Sequence, residues 1–188
     1  MTSNPESTSA APVTPQDPAI RPATGEQGAG ALHRRWILEG WERAPGDGRF
    51  DFRTKLGEFY AWADRDVVLY DDFDPQHRVA RSAAAYAAIW EPIFNTVRSA
   101  RHVVSDEPAV LPPSGDLTAS TLEFAALIEG ADGEVTAIRT RSDLVWRRRS
   151  GGWRIVREHN STRVVSVAEV SALLPQPYPE STTGAPHA

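Results

Sequence analysis

The sequence predicts an α+β domain in which helices pack on one face of a curved antiparallel sheet. Three segments before residue 98 carry apolar side chains at helical spacing. From residue 101 onward the pattern changes to four extended stretches that are separated by short turn sequences. Helical segments followed by hairpin-linked strands, rather than strands that alternate with helices, indicate this class.

The chain has 188 residues, which is enough for one domain with a substantial core. Residues 1–30 and 173–188 are rich in Ser, Thr, Ala, Pro, Gln and Gly and carry few bulky apolar side chains. Such segments bury too little apolar surface to offset the entropy lost on ordering. We therefore predict disordered tails over residues 1–30 and 173–188, and a folded domain over residues 31–172.

The composition excludes several classes of protein. The absence of Cys excludes a disulfide framework and thiolate chemistry, and the formal net charge of -5 gives no basic footprint for nucleic acid. No secretory signal is visible, and no apolar run approaches the roughly 20 residues of a membrane helix. We expect a cytoplasmic protein that binds neither nucleic acid nor membranes.

Three helices are predicted before the main run of strands. The first lies within residues 31–44 and is ended by a Pro-Gly-Asp-Gly turn. The second lies within residues 50–63, and the third, within residues 81–97, contains Pro92, which should kink or end it. The apolar stripes of the three helices are Leu32, Trp36 and Trp41; Phe52, Leu56, Phe59 and Tyr60; and Tyr86, Ile89, Trp90, Ile93 and Val97.

Five strands are predicted. A short β-branched strand, "VVLYDD", precedes the third helix. Four longer stretches follow it and are separated by the turn sequences "PPSGD", "ADGE" and "SGG". They cover residues 101–111, 117–130, 135–149 and 153–167.

The two faces of the last hairpin follow from strand alternation. One face carries the tryptophans, so we assign it to the core; Glu158 and Asn160 then point away from it. The far end of the core face turns polar, as the mouth of a pocket would. A bulge in the connection would exchange the faces. With an even-length connection the core face consists of Trp153, Ile155, Arg157, His159 and Ser161, opposite Trp146, Leu144, Ser142 and Thr140.

The order of these elements resembles the ketosteroid-isomerase-like, SnoaL-like branch of the nuclear transport factor 2 superfamily. The resemblance covers about residues 31–166 and rests on "DRDVVLYDDFDP", a helix with a central Trp, and the ending "LVWRRRSGGWRIVREHNS". It implies a cone-shaped fold in which a strongly curved antiparallel sheet wraps three N-terminal helices around a deep pocket, and a homodimer formed through the sheet. Its members include isomerases, dehydratases, epoxide hydrolases, polyketide cyclases and non-catalytic association domains, so membership specifies fold better than function.

The resemblance also points to a catalytic position. In ketosteroid isomerases the base is an Asp just after the first strand, in an acidic-Asp-Pro stretch. The matching stretch here is "LYDDFDP", which places Asp71, or by a one-residue shift Asp72, at that position. The Pro that follows the Asp in that family is absent here, since Pro75 comes after Asp74. The second acid and the tyrosine of the isomerases' oxyanion hole have no clear match, which argues against a plain steroid isomerase.

These residues predict acid–base chemistry. Desolvation raises the pKa of a carboxyl at the mouth of an apolar cavity, and a neighbouring carboxylate raises that of one member of a pair further; Asp71, Asp72 and Asp74 are close enough in sequence to couple in this way. Such a group exchanges a proton near neutral pH. We predict Asp71, Asp72 and His159 as catalytic candidates. The predicted substrate contacts are Tyr60, Trp90, Trp146, Arg157, Ser161 and, if the register differs, Arg141.

Each assignment has a structural alternative. The "DDFDP" stretch is ordinary turn chemistry, and a lone His on a half-buried strand is commonly part of a structural hydrogen bond. Asp72, Asp74 and His77 lack the Gly and the distal Glu of a calcium loop, so we predict no metal site. No nucleophile elbow, Gly-rich phosphate loop or redox motif is present, so we predict no cofactor.

We therefore predict a cofactor-independent isomerase, cyclase or dehydratase that acts on an apolar oxygenated metabolite such as a polyketide. The alternatives are a non-catalytic ligand-binding or dimerisation module and an epoxide hydrolase, which would hold a water between a carboxylate and other polar groups. An enzyme should bring at least two titratable side chains to one cavity.

Overall fold

The computed structural model describes residues 28–174. The predicted tails, 1–30 and 173–188, lie almost entirely outside the described residues. Three of the helices carry side-chain caps: Asp51 accepts a hydrogen bond from the backbone of Thr54, Ser82 from that of Ala85, and Ser166 from that of Glu169. The helical segments are α1 (Ala29–Arg35), which continues as a π-helical segment (Trp36–Gly40), α2 (Phe52–Leu56), α3 (Ala83–Phe94) and α4 (Val167–Ser171).

The second helix is shorter than its apolar spacing suggests. It ends at the cap residue Gly57, and the chain then turns so that Tyr60 forms an isolated bridge with Ile155 of the last strand. The third helix ends two residues beyond Pro92, close to the end that the sequence predicts.

The strands form one sheet of mixed direction. They are β1 (Val68–Asp71), β2 (Val79–Ala80), β3 (Val97–Val104), β4 (Ala109–Val110), β5 (Leu117–Gly130), β6 (Val135–Arg149) and β7 (Gly152–Val165). Their order is β2-β1-β7-β6-β5-β3, with β4 paired to β5, and the sheet is curled without closing. The α+β class is therefore confirmed.

One pairing departs from the predicted antiparallel sheet. The first strand runs parallel to β7, with Val68 opposite Arg157 and Asp71 opposite Asn160. A hairpin fixes strand direction only between sequence neighbours, and these two strands are separated by most of the fold. The sheet is thus mixed, and the end of β1 lies beside the polar end of β7.

The core lies between the helices and the inner face of the sheet. It is unusually rich in aromatic side chains, and Trp36, Phe52, Tyr60, Tyr86 and Trp146 are each 1% exposed or less. Burial of each such side chain contributes roughly 1.5–3 kcal/mol. The helices are therefore held to the sheet by packing rather than by intrinsic helix propensity.

The outer face of the sheet is partly covered by the C-terminal helix. Val170 of α4 and Leu174 pack on Ala125 and Ala137 in a second, smaller apolar cluster. The helix also contributes Glu169, which pairs with Arg139. This part of the outer face is therefore closed by the chain's own residues.

A β-bulge interrupts the last hairpin. Val145 lies opposite Arg157, but the next pair is Trp146 opposite Ile155, which leaves Val156 without a partner on β6. Ile155 and Val156 are both buried, so two consecutive residues of β7 face the core. Beyond the bulge the inward positions change from odd to even numbers.

The bulge corrects the predicted faces of β7. Glu158 and Asn160 are buried and face inward, whereas the prediction placed them on the outer face. His159 and Ser161 are exposed, whereas the prediction placed them inside. The alternation predicted for β6 is right, because its core-side residues are buried.

In the described part of the chain, no helix combines the length and the apolar character that crossing a membrane requires.

Candidate functional site

A narrow cavity lies between the helices and the inner face of the sheet. It offers about 70 Å³ of free space and is half-open to solvent. Its polar lining consists of Asp71, His102, Thr140, Asn160 and Thr162. The aromatic part of its wall consists of Trp36, Trp41, Phe73, Trp90, Phe94 and Phe124.

Asp71 brings a carboxyl group to this cavity. Because it ends β1 beside β7, its Oδ2 accepts a hydrogen bond of 2.9 Å from Nδ2 of Asn160. Its Oδ1 accepts one of 2.9 Å from the backbone N–H of Phe73. Burial raises the pKa of Asp71 to about 6, an effect that these two hydrogen bonds oppose and that the charges of Asp72 and Asp74 reinforce. The group therefore changes its protonation state close to neutral pH.

His102, on β3, brings an imidazole to the same cavity. Its Nδ1 lies 2.9 Å from Oε2 of Glu42, and the same oxygen accepts a hydrogen bond of 3.0 Å from the backbone N–H of His102. A carboxylate only accepts, so we assign the imidazole proton to Nδ1 and the lone pair to Nε2. The imidazole is only 5% exposed and is held in one orientation by Glu42.

Behind Asp71 lies a buried polar network centred on Glu158, which is 3% exposed. Its Oε1 accepts hydrogen bonds from the hydroxyl of Tyr86 at 2.6 Å and from Nδ2 of Asn160 at 2.8 Å. Its Oε2 accepts one of 2.7 Å from the hydroxyl of Tyr60, which in turn accepts from Nε1 of Trp36 at 3.0 Å. The network therefore satisfies both carboxyl oxygens of Glu158 without a basic side chain.

The amide of Asn160 joins two carboxyl groups, those of Asp71 and Glu158. Burial raises the pKa of Glu158 to about 8; the hydrogen bonds from Tyr86 and Tyr60 oppose this rise, and the charge of Asp71 adds to it. Near neutral pH the pair therefore carries about one negative charge, mostly on Asp71.

Three buried polar atoms in residues 28–174 have no hydrogen-bond partner. They are Nε1 of Trp41, Nε1 of Trp90 and Oδ1 of Asn160. All three belong to residues that line the cavity. Unpaired buried polar groups are uncommon in folded proteins, and these three are closed off from solvent, so a ligand would reach them only after a neighbouring side chain moves.

The three aspartates of the "DDFDP" stretch, Asp71, Asp72 and Asp74, each have a different hydrogen-bond partner. Asp71 reaches the cavity, whereas Asp72 accepts a hydrogen bond of 2.7 Å from the backbone of Thr162 and ties the loop to β7. Asp74 is buried and forms two hydrogen bonds of 2.9 Å with the guanidinium of Arg78, which lowers the pKa of Asp74 to about 2. No group of three His, Asp or Glu side chains among the described residues could hold a metal ion.

The predicted partner of the carboxylate lies elsewhere. His159 is exposed on the outer face, opposite Asp143 and against the ring of Tyr70 at 5.3 Å. Ser161 is exposed on the same face and lies opposite Arg141, which pairs with Glu123. The β-bulge is the physical reason, because it turns these positions away from the cavity.

Of the other residues predicted to contact a substrate, only Trp90 lies at the cavity. Tyr60 lies in the network behind Asp71, and Trp146 is buried in the core, where its Nε1 donates to Ser120 at 2.7 Å. Arg157 donates to the backbone oxygen of Asp66 and does not reach the cavity.

Four residues of the site are not predicted by any pattern in the sequence: His102, Glu42, Glu158 and Asn160. His102 and Glu42 are 60 positions apart, and no local pattern links a strand residue to one that follows a helix. Glu158 and Asn160 were visible as neighbours of His159, and a bulge in the last hairpin was the one signal that could have brought them inside.

Comparison with known proteins identifies the family and the fold of the chain. Residues 59–165, more than half of the chain, match the model of the SnoaL-like domain. A candidate dehydratase of the NTF2-like family from Streptomyces avermitilis is 19% identical, with a TM-score of 0.55, over 72% of this chain and 94% of that chain. Curated proteins give no match.

Two further solved structures share the fold. A hexachlorocyclohexane dehydrochlorinase, LinA type 2, is 11% identical with a TM-score of 0.54, over 72% of this chain and 85% of that chain. A candidate calcium/calmodulin-dependent protein kinase II association domain from Xanthomonas campestris is 20% identical with a TM-score of 0.54, over 71% of this chain and 84% of that chain. The chain thus belongs to the SnoaL-like domain family and has the fold of the NTF2-like superfamily.

Proposed function

We propose that the protein is a cofactor-independent enzyme that moves a proton at a carbon atom of a small, mostly apolar, oxygenated molecule. One observation carries the proposal: His102 and Asp71 line the same cavity, and each is oriented by a partner of its own. Acid–base catalysis at carbon needs at least two titratable groups in one cavity.

His102 is the proposed base. In the neutral imidazole Nε2 carries the lone pair, because Nδ1 donates to Glu42. The carboxylate of Glu42 stabilises the imidazolium that forms when Nε2 takes a proton from the substrate carbon. The imidazole is already fixed in position, so little reorganisation accompanies the transfer.

Asp71 is the proposed acid. A carboxyl with its pKa raised to about 6 keeps a usable protonated fraction near neutral pH. It donates that proton to the substrate oxygen as negative charge develops there. A carbonyl compound would thereby become an enol, with the carbon-bound proton on His102 and the proton of Asp71 on oxygen.

The enol leads to either of two products. If the enol is conjugated with a second double bond, return of a proton at the far end of the conjugated system gives an isomer; loss of a β-hydroxyl together with the enol proton, as water, gives an unsaturated ketone. Elimination is the reaction named for the dehydrochlorinase and for the candidate dehydratase that share this fold. A polyketide of several rings exceeds the free space of about 70 Å³, so cyclisation of such a substrate would require the aromatic wall to move.

A second candidate function is a non-catalytic binding or association module. The small cavity and the association domain with the same fold favour it. A homodimer through the sheet would then use the outer face that α4 leaves uncovered, which carries Glu123, Arg141 and Asp143. A cytoplasmic location fits either function.

Deuterium incorporation tests the enzyme proposal. Cyclopentanone and its β-hydroxy derivative are incubated with the protein in heavy water and analysed by mass spectrometry. We expect the wild type to introduce deuterium beside the carbonyl and to convert the hydroxy ketone to the enone. The double variant His102→Gln, Asp71→Asn should lose both reactions.

His159→Gln is the matched control, because it changes an exposed histidine on the outer face and should keep the wild-type rate. Equal rates in the double variant and the wild type would contradict the proposal. So would a wild type that neither exchanges nor dehydrates these ketones while binding them, which would favour the binding module.

A further inference from the structure

The charge composition of the cavity restricts what it can bind. Its titratable lining residues in the described part of the chain are Asp71 and His102, and no Arg or Lys side chain lines it. Glu42, which holds His102, adds a second negative charge nearby. The cavity therefore has acidic groups but no fixed cation.

An anionic ligand would meet unfavourable conditions here. A carboxylate or phosphate would lose its hydration on entering the apolar wall and would lie near the carboxyl of Asp71. Sites that recognise such anions supply arginine or lysine side chains or the amino terminus of a helix. Neither arginine nor lysine lines this cavity. Charged substrates of this kind are thus disfavoured twice, by desolvation and by like charge.

The unpartnered polar atoms indicate what is favoured instead. Trp41 and Trp90 each hold a buried indole N–H without an acceptor, and their rings lie 5.8 Å apart in an edge-to-face arrangement. An indole N–H only donates, so its complement is a ligand oxygen, which would reach these buried groups after a side chain of the aromatic wall moves aside. Asn160 holds a carbonyl oxygen without a donor, which suits a hydroxyl or the enol form of a ketone.

The free space limits the size of the ligand. The cavity offers about 70 Å³, whereas an engineered apolar cavity of about 150 Å³ holds benzene. Because the site is half-open, a ring of five or six atoms can enter with part of its edge toward the opening. Larger ring systems do not fit beside the packed aromatic side chains.

We propose that the cavity selects an uncharged ketone or alcohol of about one small ring and rejects carboxylates and phosphates. This selection rests on the proposed function only in using the same cavity. It follows from the absence of a cationic lining residue, the carboxyl of Asp71 and the unpaired indole N–H groups of Trp41 and Trp90.

The test uses three probes with one carbon frame: cyclopentanone, cyclopentanecarboxylate and cyclopentylammonium. Each is added to nitrogen-15-labelled protein at about pH 8, well above the pKa of Asp71, which is about 6. The indole N–H signals are followed by NMR. Trp62 and Trp146 are internal controls, because their indole N–H groups donate to Gly57 and Ser120.

We expect cyclopentanone to shift the indole signals of Trp41 and Trp90 and to leave those of Trp62 and Trp146 in place. The carboxylate should bind at least about tenfold more weakly than the ketone, and Asp71→Asn should remove most of that difference. The ammonium probe reports the charge of Asp71, so its binding should weaken in Asp71→Asn.

Three results would overturn the inference. The first is a carboxylate that binds as tightly as the ketone to the wild type, and the second is an ammonium whose binding does not weaken in Asp71→Asn. The third is a ketone that leaves the Trp41 and Trp90 signals unchanged up to about 50 mM. Selective binding without deuterium exchange would uphold this inference and contradict the enzyme proposal, so the two failures are distinguishable.

Discussion

Nδ2 of Asn160 donates a hydrogen bond of 2.9 Å to Oδ2 of Asp71 across the parallel junction of the first and last strands. The same amide donates to Glu158 at 2.8 Å, so one side chain fixes the positions of two carboxyl groups. The parallel pairing brings the partners together, and the β-bulge at Val156 turns Asn160 inward. The candidate site is therefore a product of sheet topology.

Asn160→Ala should raise the pKa of Asp71 above about 6. The hydrogen bond from Asn160 favours the charged form of Asp71, and its loss leaves burial less opposed. Carbon-13 NMR of the aspartate carboxyl groups measures the shift. His159→Ala removes an outward-facing neighbour on the same strand and should leave the titration of Asp71 unchanged; a fall in the Asn160→Ala variant would refute this explanation.

Asp71→Asn should change the pH dependence of ketone exchange. With Asp71 as acid, the wild-type rate falls as the pH rises through about 6, because the protonated fraction is lost. The amide of Asn cannot titrate, so this decline should disappear in the variant, and the maximal rate should drop by about 10²–10⁴-fold. If the exchange rate of the variant still falls as the pH rises through about 6, a group other than Asp71 causes that fall.

Glu42→Gln should lower kcat by about 10–100-fold and leave KM nearly unchanged. Gln can still accept the hydrogen bond from Nδ1 of His102, but it no longer stabilises the imidazolium with a negative charge. Glu39→Gln is the matched control, because Glu39 is exposed and pairs with Arg35. If Glu42→Gln and Glu39→Gln lower kcat equally, the loss does not come from stabilisation of the His102 imidazolium by Glu42.

Glu158→Ala should destabilise the fold more than Glu158→Gln. The alanine leaves the buried hydroxyls of Tyr60 and Tyr86 without their acceptor, at about 1–3 kcal/mol for each unpaired group. Glutamine keeps the volume and one acceptor oxygen. Urea unfolding of the two variants measures the difference in the free energy of unfolding; equal values would show that the network contributes little to stability.

His33 should make the fold sensitive to acid. It is buried between the hydroxyls of Ser120 and Ser142, and burial lowers its pKa from 6.5 to about 3. The unfolded chain therefore binds this proton first, and stability falls as the pH drops from 6.5 toward 3, by up to about 1.4 kcal/mol per pH unit.

His33→Gln should flatten that part of the pH–stability curve, because Gln does not titrate. Chemical unfolding of the wild type and the variant at a series of pH values isolates the contribution of His33 from that of the carboxyl groups. An identical slope in the two proteins would mean that His33 is not held in its neutral form.

The helical and strand patterns could be predicted because they are local. The faces of β6 followed directly from alternation, and Asp71 could be placed because it follows the first strand. The inner face of β7 could not be predicted, since the bulge at Val156 depends on how Trp146 and Ile155 pack against the core. One extra residue was enough to exchange His159 for Glu158.

The pairing of His102 with Glu42 also lay beyond sequence reasoning. It forms only when β3 packs against the segment that follows the π-helical turn. Neither residue belongs to a motif, and each on its own resembles an ordinary polar position on a strand or a loop. Acid–base sites that are assembled from distant elements leave little trace in a single sequence.

The proposed site depends above all on Asp71 being a cavity carboxyl whose pKa lies well above the ordinary value of Asp. Carbon-13 NMR titration of the aspartate side chains measures this pKa without a substrate. We expect one carboxyl with a midpoint near 6 that is missing in Asp71→Asn, while Asp66 and Asp74 titrate near 2. If Asp71 titrates at its ordinary value of 3.8 or below, it lies in water rather than in a catalytic cavity, and the central claim is contradicted.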